Sequence, residues 1–378
     1  MIETLQHAHL ITQLTALPHT LGAYLHDLDP YMIRLFGDFG LRWYGLSYVA
    51  GFIVAFMLVR WLAAKRISPL QPQQAGDLVL AVALGTVIGG RVGYCVFYDP
   101  HLLIDFSAGF PFWGVLALNR GGMASHGGIL GIIIACIYFG KRNHISTLHL
   151  FDLAAWTGMI GIFFGRLANF INGELYGRPC DESFALAVKF PQELREWVFQ
   201  PDKLAPLEPA AEAIGISPIE WRNAVTMIGT DSSASAWIRT AINDMIIATQ
   251  NGNTQLNEAL QLVLTPRHPS QLYQAFGEGL LMFIAIGLIW MRPRKPGILG
   301  AWFMVLYAVA RVIGEQFRMP DAHIGYQALG LTRGQWLSFA MFAVGMVLVT
   351  LWSRQKAPLI GGLLPSKRIE SATNTGKA

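Results

Sequence analysis

The chain has 378 residues, of which 53% are hydrophobic and only 14% are charged, and its formal net charge is +4. So few charged residues cannot cover several soluble domains, and they exclude a disordered chain or a coiled coil. Apolar runs of about twenty residues instead indicate a polytopic membrane protein. The three cysteines, Cys95, Cys136 and Cys180, are too few for a disulfide framework or a cysteine-rich metal site.

The first 40 residues precede the apolar runs and lack a basic segment followed by an apolar stretch. They predict an ordered or interfacial arm rather than a cleaved signal peptide. Seven apolar runs follow, each long enough at ~1.5 Å per residue to cross a ~30 Å hydrocarbon core. These predicted transmembrane helices are residues 41–63, 76–98, 120–140, 149–171, 271–291, 297–318 and 334–354. Residues 101–116 are too short to span and predict an interfacial loop.

Basic residues in the short loops predict the orientation. Cytoplasmic loops of membrane proteins carry an excess of lysine and arginine, so one side is assigned to the cytoplasm and the N-terminus to the outside. The loop 99–119 on the other side contains no lysine or arginine. The excess of basic residues on the predicted cytoplasmic side is typical of loops that flank membrane spans and does not indicate a nucleic-acid-binding surface. The thirteen cytoplasmic basic residues are Arg60, Lys65, Arg66, Lys141, Arg142, Arg292, Arg294, Lys295, Arg354, Lys356, Lys367, Arg368 and Lys377.

A soluble-looking insertion separates the fourth and fifth spans. Residues 179–266 contain eleven acidic and five basic residues. The alanine-rich windows 208–225 and 234–250 predict short helices around the breakers Gly215, Pro218 and Gly252. The sequence thus predicts an all-α polytopic membrane protein with seven transmembrane helices, N-out and C-in, and a small extracytoplasmic head. Its parts are an arm (1–40), helices one to four (41–177), the head (178–267), helices five to seven (268–354) and a basic cytoplasmic tail (355–378).

Ionisable residues inside the spans are the strongest functional signal. Each costs on the order of 2.5–3.5 kcal/mol to insert, so each needs a partner or a purpose. At helical rise, groups from five spans fall in the outer half of the bilayer. Scattered anchors would not agree in depth in this way. The five residues are Tyr44, Arg91, His126, Arg166 and Arg311.

Local spacing leaves structural alternatives open for several of these groups. Tyr307, Arg311, Glu315 and Arg318 recur on one predicted helix face, either as a structural Arg311–Glu315 pair or as a binding face. Arg91 lies among glycines that close helix packing also explains. The polar segment 165–178 at the end of the fourth span is harder to attribute to packing. It contains Arg166, Asn169, Asn172, Glu174 and Arg178.

The chemistry of these groups narrows the function. Arginine binds phosphate through a bidentate fork, and phospholipid phosphates are always present at this depth. His126, followed by two glycines, is either a satisfied core histidine or a proton acceptor near neutral pH. The sequence contains no metal-ligand spacing, no Gly-x-Ser-x-Gly elbow and no Walker loop. These residues predict an enzyme or a carrier that acts on an anionic lipid at the outer leaflet.

Six motifs together resemble one family, the prolipoprotein diacylglyceryl transferases. They are residues 42–46, 89–94, 126–128, 165–178 and 268–273 and the face of Tyr307, Arg311, Glu315 and Arg318. The resemblance implies transfer of the diacylglyceryl group of phosphatidylglycerol to the lipobox cysteine of a preprolipoprotein signal peptide. The products are a thioether and glycerol 1-phosphate. It also implies a bacterial inner-membrane enzyme that needs no cofactor or metal.

The resemblance assigns roles to individual residues. His126 corresponds to the family's base, and Arg166 and Arg311 to its phosphate-handling arginines. Ala168 and Gln274 depart from the family, which usually has Gly and Glu there. The residues expected to bind substrate are Tyr44, Asn169, Gly177, Tyr307 and Glu315 by resemblance, and Arg91 and Glu174 by their position.

Two further interpretations follow. A transporter of anionic phospholipid is the alternative function, but such folds usually contain internal repeats, and none is visible here. Cys180 lies just beyond the polar segment and is not expected to be a nucleophile, because the reacting thiol belongs to the substrate.

Overall fold

The computed structural model describes residues 22–36, 39–107, 109, 111–117, 121–319 and 325–364. Parts of the predicted arm and tail lie outside these residues, including Lys367, Arg368 and Lys377 of the charge pattern. The chain forms two compact units. The helical unit comprises Leu41–Ala168, Leu272–Gln316 and Pro320–Ala378. The mixed unit comprises Met1–Gly40, Asn169–Gln271 and Phe317–Met319.

Helices dominate the described residues. In chain order they are α1 (Trp43–Ala64), α2 (Gln74–Phe97), α3 (Ser125–Asn143), α4 (Thr147–Ile171), α5 (Pro201–Leu204), α6 (Glu208–Glu212), α7 (Pro218–Thr226), α8 (Ser232–Gln250), α9 (Thr254–Val263), α10 (Ser270–Ile289), α11 (Ile298–Glu315) and α12 (Arg333–Arg354).

Within the described residues, six helices are long and apolar enough to cross a membrane: α1, α2, α4, α10, α11 and α12. They coincide with six of the seven predicted spans, and the chain is therefore a helical protein of multi-pass membrane type. The predicted span 120–140 corresponds to α3, which begins only at Ser125 and has 19 residues. Polar groups at both of its ends, His126 and Lys141, shorten its apolar stretch. The seventh crossing stays a prediction.

Glycines allow α2 and α3 to pack with their backbones in contact. A Cβ on Gly131 would lie 1.8 Å from the carbonyl oxygen of Gly85, and one on Gly127 would lie 2.2 Å from that of Gly89. Small residues at a helix interface permit this close approach in membrane proteins. The glycines thus fix α3 against α2.

Aromatic packing and a buried carboxylate hold α4 to its neighbours in the helical unit. The rings of Trp156 and Phe283 stack with centroids 4.7 Å apart. Asp152 on α4 accepts hydrogen bonds from the backbone N–H groups of Gly297 (2.7 Å) and Gly300 (2.8 Å). Because the first N–H groups of a helix lack partners within it, Asp152 caps α11 from outside. This contact fixes the start of the helix that carries Tyr307 and Arg311.

The mixed unit has a hydrophobic core of its own. Residues of α5 and α7–α9 with no exposed surface form its centre: Leu204, Trp221, Ile238 and Leu260. The predicted window 208–225 is divided into α6 and α7 by Gly215, whose φ of +86° suits glycine. Ser217 and Glu220 then form a capping box at the start of α7. The window 234–250 falls within α8.

Two small sheets correct the all-α expectation. The strand β1 (Tyr24–Leu25) pairs in parallel with β4 (Val188–Lys189), and β2 (Tyr31–Phe36) pairs with β3 (Phe39–Arg42). The two-residue strands are too short to give a recognisable alternation of apolar and polar residues. The fold is therefore predominantly helical with two two-stranded sheets.

Candidate functional site

A wide turn in α10 carries a carboxylate that sequence reasoning overlooked. Residues Ala275–Leu281 form a π-helical turn, a rare geometry that is frequent at functional sites. Gly279 permits close contact with α4, because a Cβ there would lie 2.7 Å from the α-carbon of Phe163. Glu278, in the same turn, is only 1% exposed. A buried acid inside an apolar helix needs cationic or hydrogen-bonding partners.

Three side chains from α4 and α11 meet Glu278. Arg166 donates a hydrogen bond from Nη2 to Glu278 Oε2 at 3.2 Å, and Arg311 donates from Nη1 to Oε1 at 3.3 Å. The hydroxyl of Tyr307 donates to Oε2 at 3.2 Å. The structure thus brings both predicted phosphate-handling arginines together.

A second carboxylate completes the group. Arg311 Nη2 lies 2.6 Å from Glu315 Oε1, which confirms the pair that the helical spacing indicated. The hydroxyl of Thr332, the N-cap residue of α12, donates to Glu315 Oε2 at 3.0 Å. We call Arg166, Tyr307, Glu278, Arg311 and Glu315 the Glu278 cluster.

Arg318 does not share the helix face of Tyr307, Arg311 and Glu315. The helix α11 ends at Glu315, and Arg318 instead forms an isolated antiparallel bridge with Gly177 in the mixed unit. The prediction that a helix continues to residue 318 was wrong, because the backbone leaves the helix and pairs with another segment.

The Glu278 cluster is electrically balanced. Two guanidinium groups face two carboxylates, of which the sequence indicated Glu315 as a partner of Arg311 but did not indicate Glu278. Each arginine makes one contact to Glu278, at 3.2 and 3.3 Å, rather than a bidentate fork. The side chains of Arg166 and Arg311 are each 15% exposed, so the cluster is not fully closed. A carboxylate within the predicted span 271–291 was the signal that could have revealed Glu278.

Arg91 has a different environment. Its side chain is buried, and Nε, Nη1 and Nη2 all donate to backbone carbonyl oxygens. Guanidinium has five N–H donors, and five such bonds are present, so the group is saturated. This geometry favours the structural alternative, in which Arg91 holds the chain between α2 and α3. The acceptors are Gly114, Val115, Ala117, Gly121 and Gly122, at 2.6–3.3 Å.

His126 is not joined to the Glu278 cluster. It is the second residue of α3 and is exposed, and its side chain makes no hydrogen bond or ion pair with another described residue. Tyr44 is half-buried at the start of α1, with its ring centroid 5.4 Å from that of Tyr48. The roles of His126 and Tyr44 therefore stay predictions.

In the mixed unit, hydrogen bonds between Asn169 and Glu174 stabilise a turn. Asn169 Nδ2 donates to Glu174 Oε1 at 2.7 Å, and the backbone N–H of Glu174 donates to the carbonyl of Asn169 at 3.1 Å. Gln271 Nε2 also donates to the carbonyl of Glu174 at 2.7 Å. Glu174 itself is exposed. These contacts give both residues a structural role without testing a substrate contact.

Gly177 has a steric reason to be glycine. A Cβ there would lie 2.2 Å from the carbonyl oxygen of His268 and 2.7 Å from that of Phe317. Backbone at this distance leaves no room for a side chain. Gly177 therefore serves the architecture of the mixed unit.

Cys180 is a poor nucleophile in this environment. Burial, reinforced by the charge of Asp181, raises the pKa of its thiol. The thiolate is the reactive form, so a raised pKa leaves less of it at neutral pH. Within the described residues, no group of three or more His, Cys, Asp and Glu side chains could hold a metal ion.

Apolar helices around a buried arginine–carboxylate cluster define a multi-pass membrane protein with a polar site in its helical unit. A model of the prolipoprotein diacylglyceryl transferase family matches residues 30–351 of the chain. The chain therefore belongs to this family, as its motifs predicted, and it is a transferase. Family membership favours the enzyme over the lipid carrier.

Curated relatives agree with the family match. The chain is 52% identical over 339 residues to a protein of Bdellovibrio bacteriovorus, covering 89% of this chain and 96% of the relative. It is 32% identical over 339 residues to one of Rhodospirillum rubrum, with the same coverage. It is 34% identical over 322 residues to one of Neisseria gonorrhoeae, covering 85% and 95%. All three relatives are named phosphatidylglycerol–prolipoprotein diacylglyceryl transferase.

Proposed function

We propose that the chain transfers the diacylglyceryl group of phosphatidylglycerol to the cysteine thiol of prolipoproteins, the first step of lipoprotein maturation. The observation that carries the proposal is the pair of guanidinium groups, Arg166 and Arg311, gathered inside an apolar bundle. An arginine pair in this setting suits a lipid phosphate. The relatives are named for the same lipid and the same protein substrate.

In the proposed reaction, Arg166 and Arg311 bind the phosphodiester. The substrate thiol, with a pKa of about 8.5, gives its proton to His126. The thiolate sulfur forms a bond to the terminal glycerol carbon of the diacylglyceryl group as the bond between that carbon and the phosphate oxygen breaks. The electron pair leaves on glycerol 1-phosphate, whose developing charge the arginines stabilise. Neither a cofactor nor a covalent enzyme intermediate is required.

The other candidate residues support this chemistry in two ways. Tyr307 and Glu315 orient the arginines through the contacts of the Glu278 cluster. Arg91 and Gly177 maintain the backbone around the site residues of their own units. Substrate contact is proposed for Tyr44, Asn169 and Glu174.

The proposed membrane arrangement has seven transmembrane helices, N-out and C-in, in the bacterial inner membrane. Residues 178–267 then form an extracytoplasmic head, and the reaction takes place toward the outer leaflet, where a lipobox cysteine of an exported protein is accessible. Six apolar helices, the packing of α3 on α2 and the distribution of basic residues support this arrangement.

In vitro transfer tests the function. The purified protein, in vesicles that contain phosphatidylglycerol labelled in the glycerol backbone of its diacylglyceryl group, is mixed with a lipobox peptide. We expect a labelled peptide whose bond resists hydroxylamine, as a thioether does, and no product from a peptide with serine in place of cysteine. A carrier would leave the lipid unchanged, and this result would contradict the proposal.

A further inference from the structure

The charge balance of the Glu278 cluster raises a question about phosphate binding. Arg166 and Arg311 already share the carboxylate of Glu278, which is almost completely buried. A phosphodiester that binds the same guanidinium groups would meet this carboxylate as a competing anion. Like charges at close range in a medium of low dielectric constant repel strongly. The phosphate therefore binds elsewhere, binds at the guanidinium donors that Glu278 leaves unused, or displaces Glu278 from its contacts.

A glutamine one turn before Glu278 provides an alternative partner. Gln274 has no exposed surface, and neither its Nε2 nor its Oε1 has a hydrogen-bond partner among the described residues. A buried amide left unpaired destabilises the folded protein. An unpaired buried amide in a native structure calls for an explanation, and a partner in another state of the protein is one.

Gly314 on α11 is the point where these two side chains converge. A Cβ at this glycine would lie 3.0 Å from Glu278 Oε1 and 3.5 Å from Gln274 Nε2. The absence of a side chain at residue 314 lets both groups lie against the backbone of α11. Both polar groups therefore lie beside the same point of α11, and an exchange of partners would need a rotation of the Glu278 side chain.

We propose that Glu278 is a positioning residue that occupies the place of the lipid phosphate between Arg166 and Arg311 in the resting enzyme. When the phosphate binds, the Glu278 carboxylate moves to Gln274, whose Nε2 donates a hydrogen bond to it. The closer Arg311–Glu315 contact of 2.6 Å stays in place and keeps Arg311 oriented. This inference rests on the proposed function, because it assumes a phosphate-bearing substrate at the arginines.

A double-mutant cycle tests the exchange. The affinity for glycerol 1-phosphate is measured from its inhibition of transfer and from the thermal stabilisation it confers. Glu278→Gln removes the competing charge and should tighten binding about tenfold. Gln274→Met removes the second partner and should weaken binding about tenfold, the value of one buried hydrogen bond to a charged group. In the Glu278→Gln background, Gln274→Met should change the affinity little.

The outcomes separate this role from a purely structural one. A structural Glu278 would make Glu278→Gln weaken both binding and turnover, and Gln274→Met would then have equal effects in both backgrounds. Either result overturns the proposal. Thr157→Val, which removes a buried hydroxyl on α4 that donates to the carbonyl of Leu153, is the matched control and should leave the affinity unchanged.

Two further arms keep the test decisive. If Glu278→Gln does not fold, Gln274→Asn is compared with Gln274→Met: the shorter amide should recover part of the affinity, and equal affinity of both variants and wild type overturns the inference. If the wild-type protein binds glycerol 1-phosphate but transfers no diacylglyceryl group, the proposed function is refuted. The double-mutant cycle, read by thermal stabilisation, would still show whether Glu278 and the phosphate compete for the arginines.

Discussion

Arg311 uses both ends of its guanidinium group, with Nη1 toward Glu278 and Nη2 toward Glu315. A lysine ammonium keeps the charge but cannot present two donors in a plane. Arg166→Lys and Arg311→Lys should therefore lower the transfer rate about 10²–10³-fold, the usual loss when an oriented donor to a developing anion is removed. The alanine variants should be inactive. Labelled transfer in vesicles measures the rate, with the exposed Arg60→Lys as control. Wild-type rates in both lysine variants would contradict the assignment.

The variant His126→Asn tests whether this residue is the general base. A general base contributes about 10²–10⁴-fold, so His126→Asn should slow transfer by this range and leave lipid binding intact. Its deficit should shrink as the pH rises toward the thiol pKa of about 8.5, because more thiolate then forms without the base. The measurement is a pH–rate profile of both proteins beside lipid binding. An equal deficit at pH 6.5 and pH 9, or lost binding, would make the histidine structural.

Single residues show where sequence reasoning succeeds and where it stops. The Arg311–Glu315 pair could be predicted because both residues lie on one helix, where four-residue spacing implies contact. The contact of Arg166 with Glu278 joins two helices, and no spacing in the sequence encodes it. Arg91 remained ambiguous for the same reason, since its carbonyl acceptors lie in a loop more than twenty residues away.

At the scale of elements, the α2–α3 contact depends on glycine at defined positions. Gly131→Ala would place a methyl group 1.8 Å from a carbonyl oxygen of α2, so the helices must separate. Overpacking of this kind costs about 1–3 kcal/mol. Gly128→Ala on the same helix meets nothing closer than 3.5 Å and is the matched control. Thermal unfolding in detergent, followed by tryptophan fluorescence, should show a lower melting temperature only for Gly131→Ala. Equal melting temperatures would contradict the packing argument.

Elements differ in how far the sequence determines them. Long apolar runs predicted six membrane-type helices, because hydropathy and length alone define such elements. The π-helical turn of α10 packs against α4 through Gly279, and the sequence of α10 alone does not encode a contact between helices. The strands β1 and β4 are more than 160 residues apart in the chain, and their pairing depends on the folded mixed unit.

For the whole molecule, orientation depends on charge rather than on packing. Thirteen basic residues lie on one predicted side, and one loop of the other side contains none. Since cytoplasmic loops retain lysine and arginine, this bias predicts the direction of every helix at once. The outer-leaflet position of the reaction follows only if this direction is correct.

Reporter fusions test this direction. A fluorescent protein attached after Ala378 should fold and fluoresce, since it would lie in the cytoplasm, and alkaline phosphatase there should be inactive. Alkaline phosphatase inserted at Gly252 should be active, since it would lie outside. Gly252 suits the insertion because it lies in an exposed turn between α8 and α9, with φ of +79°. The reverse pattern would place residues 178–267 in the cytoplasm, and the lipobox cysteine of an exported protein could not then meet the enzyme at the outer leaflet.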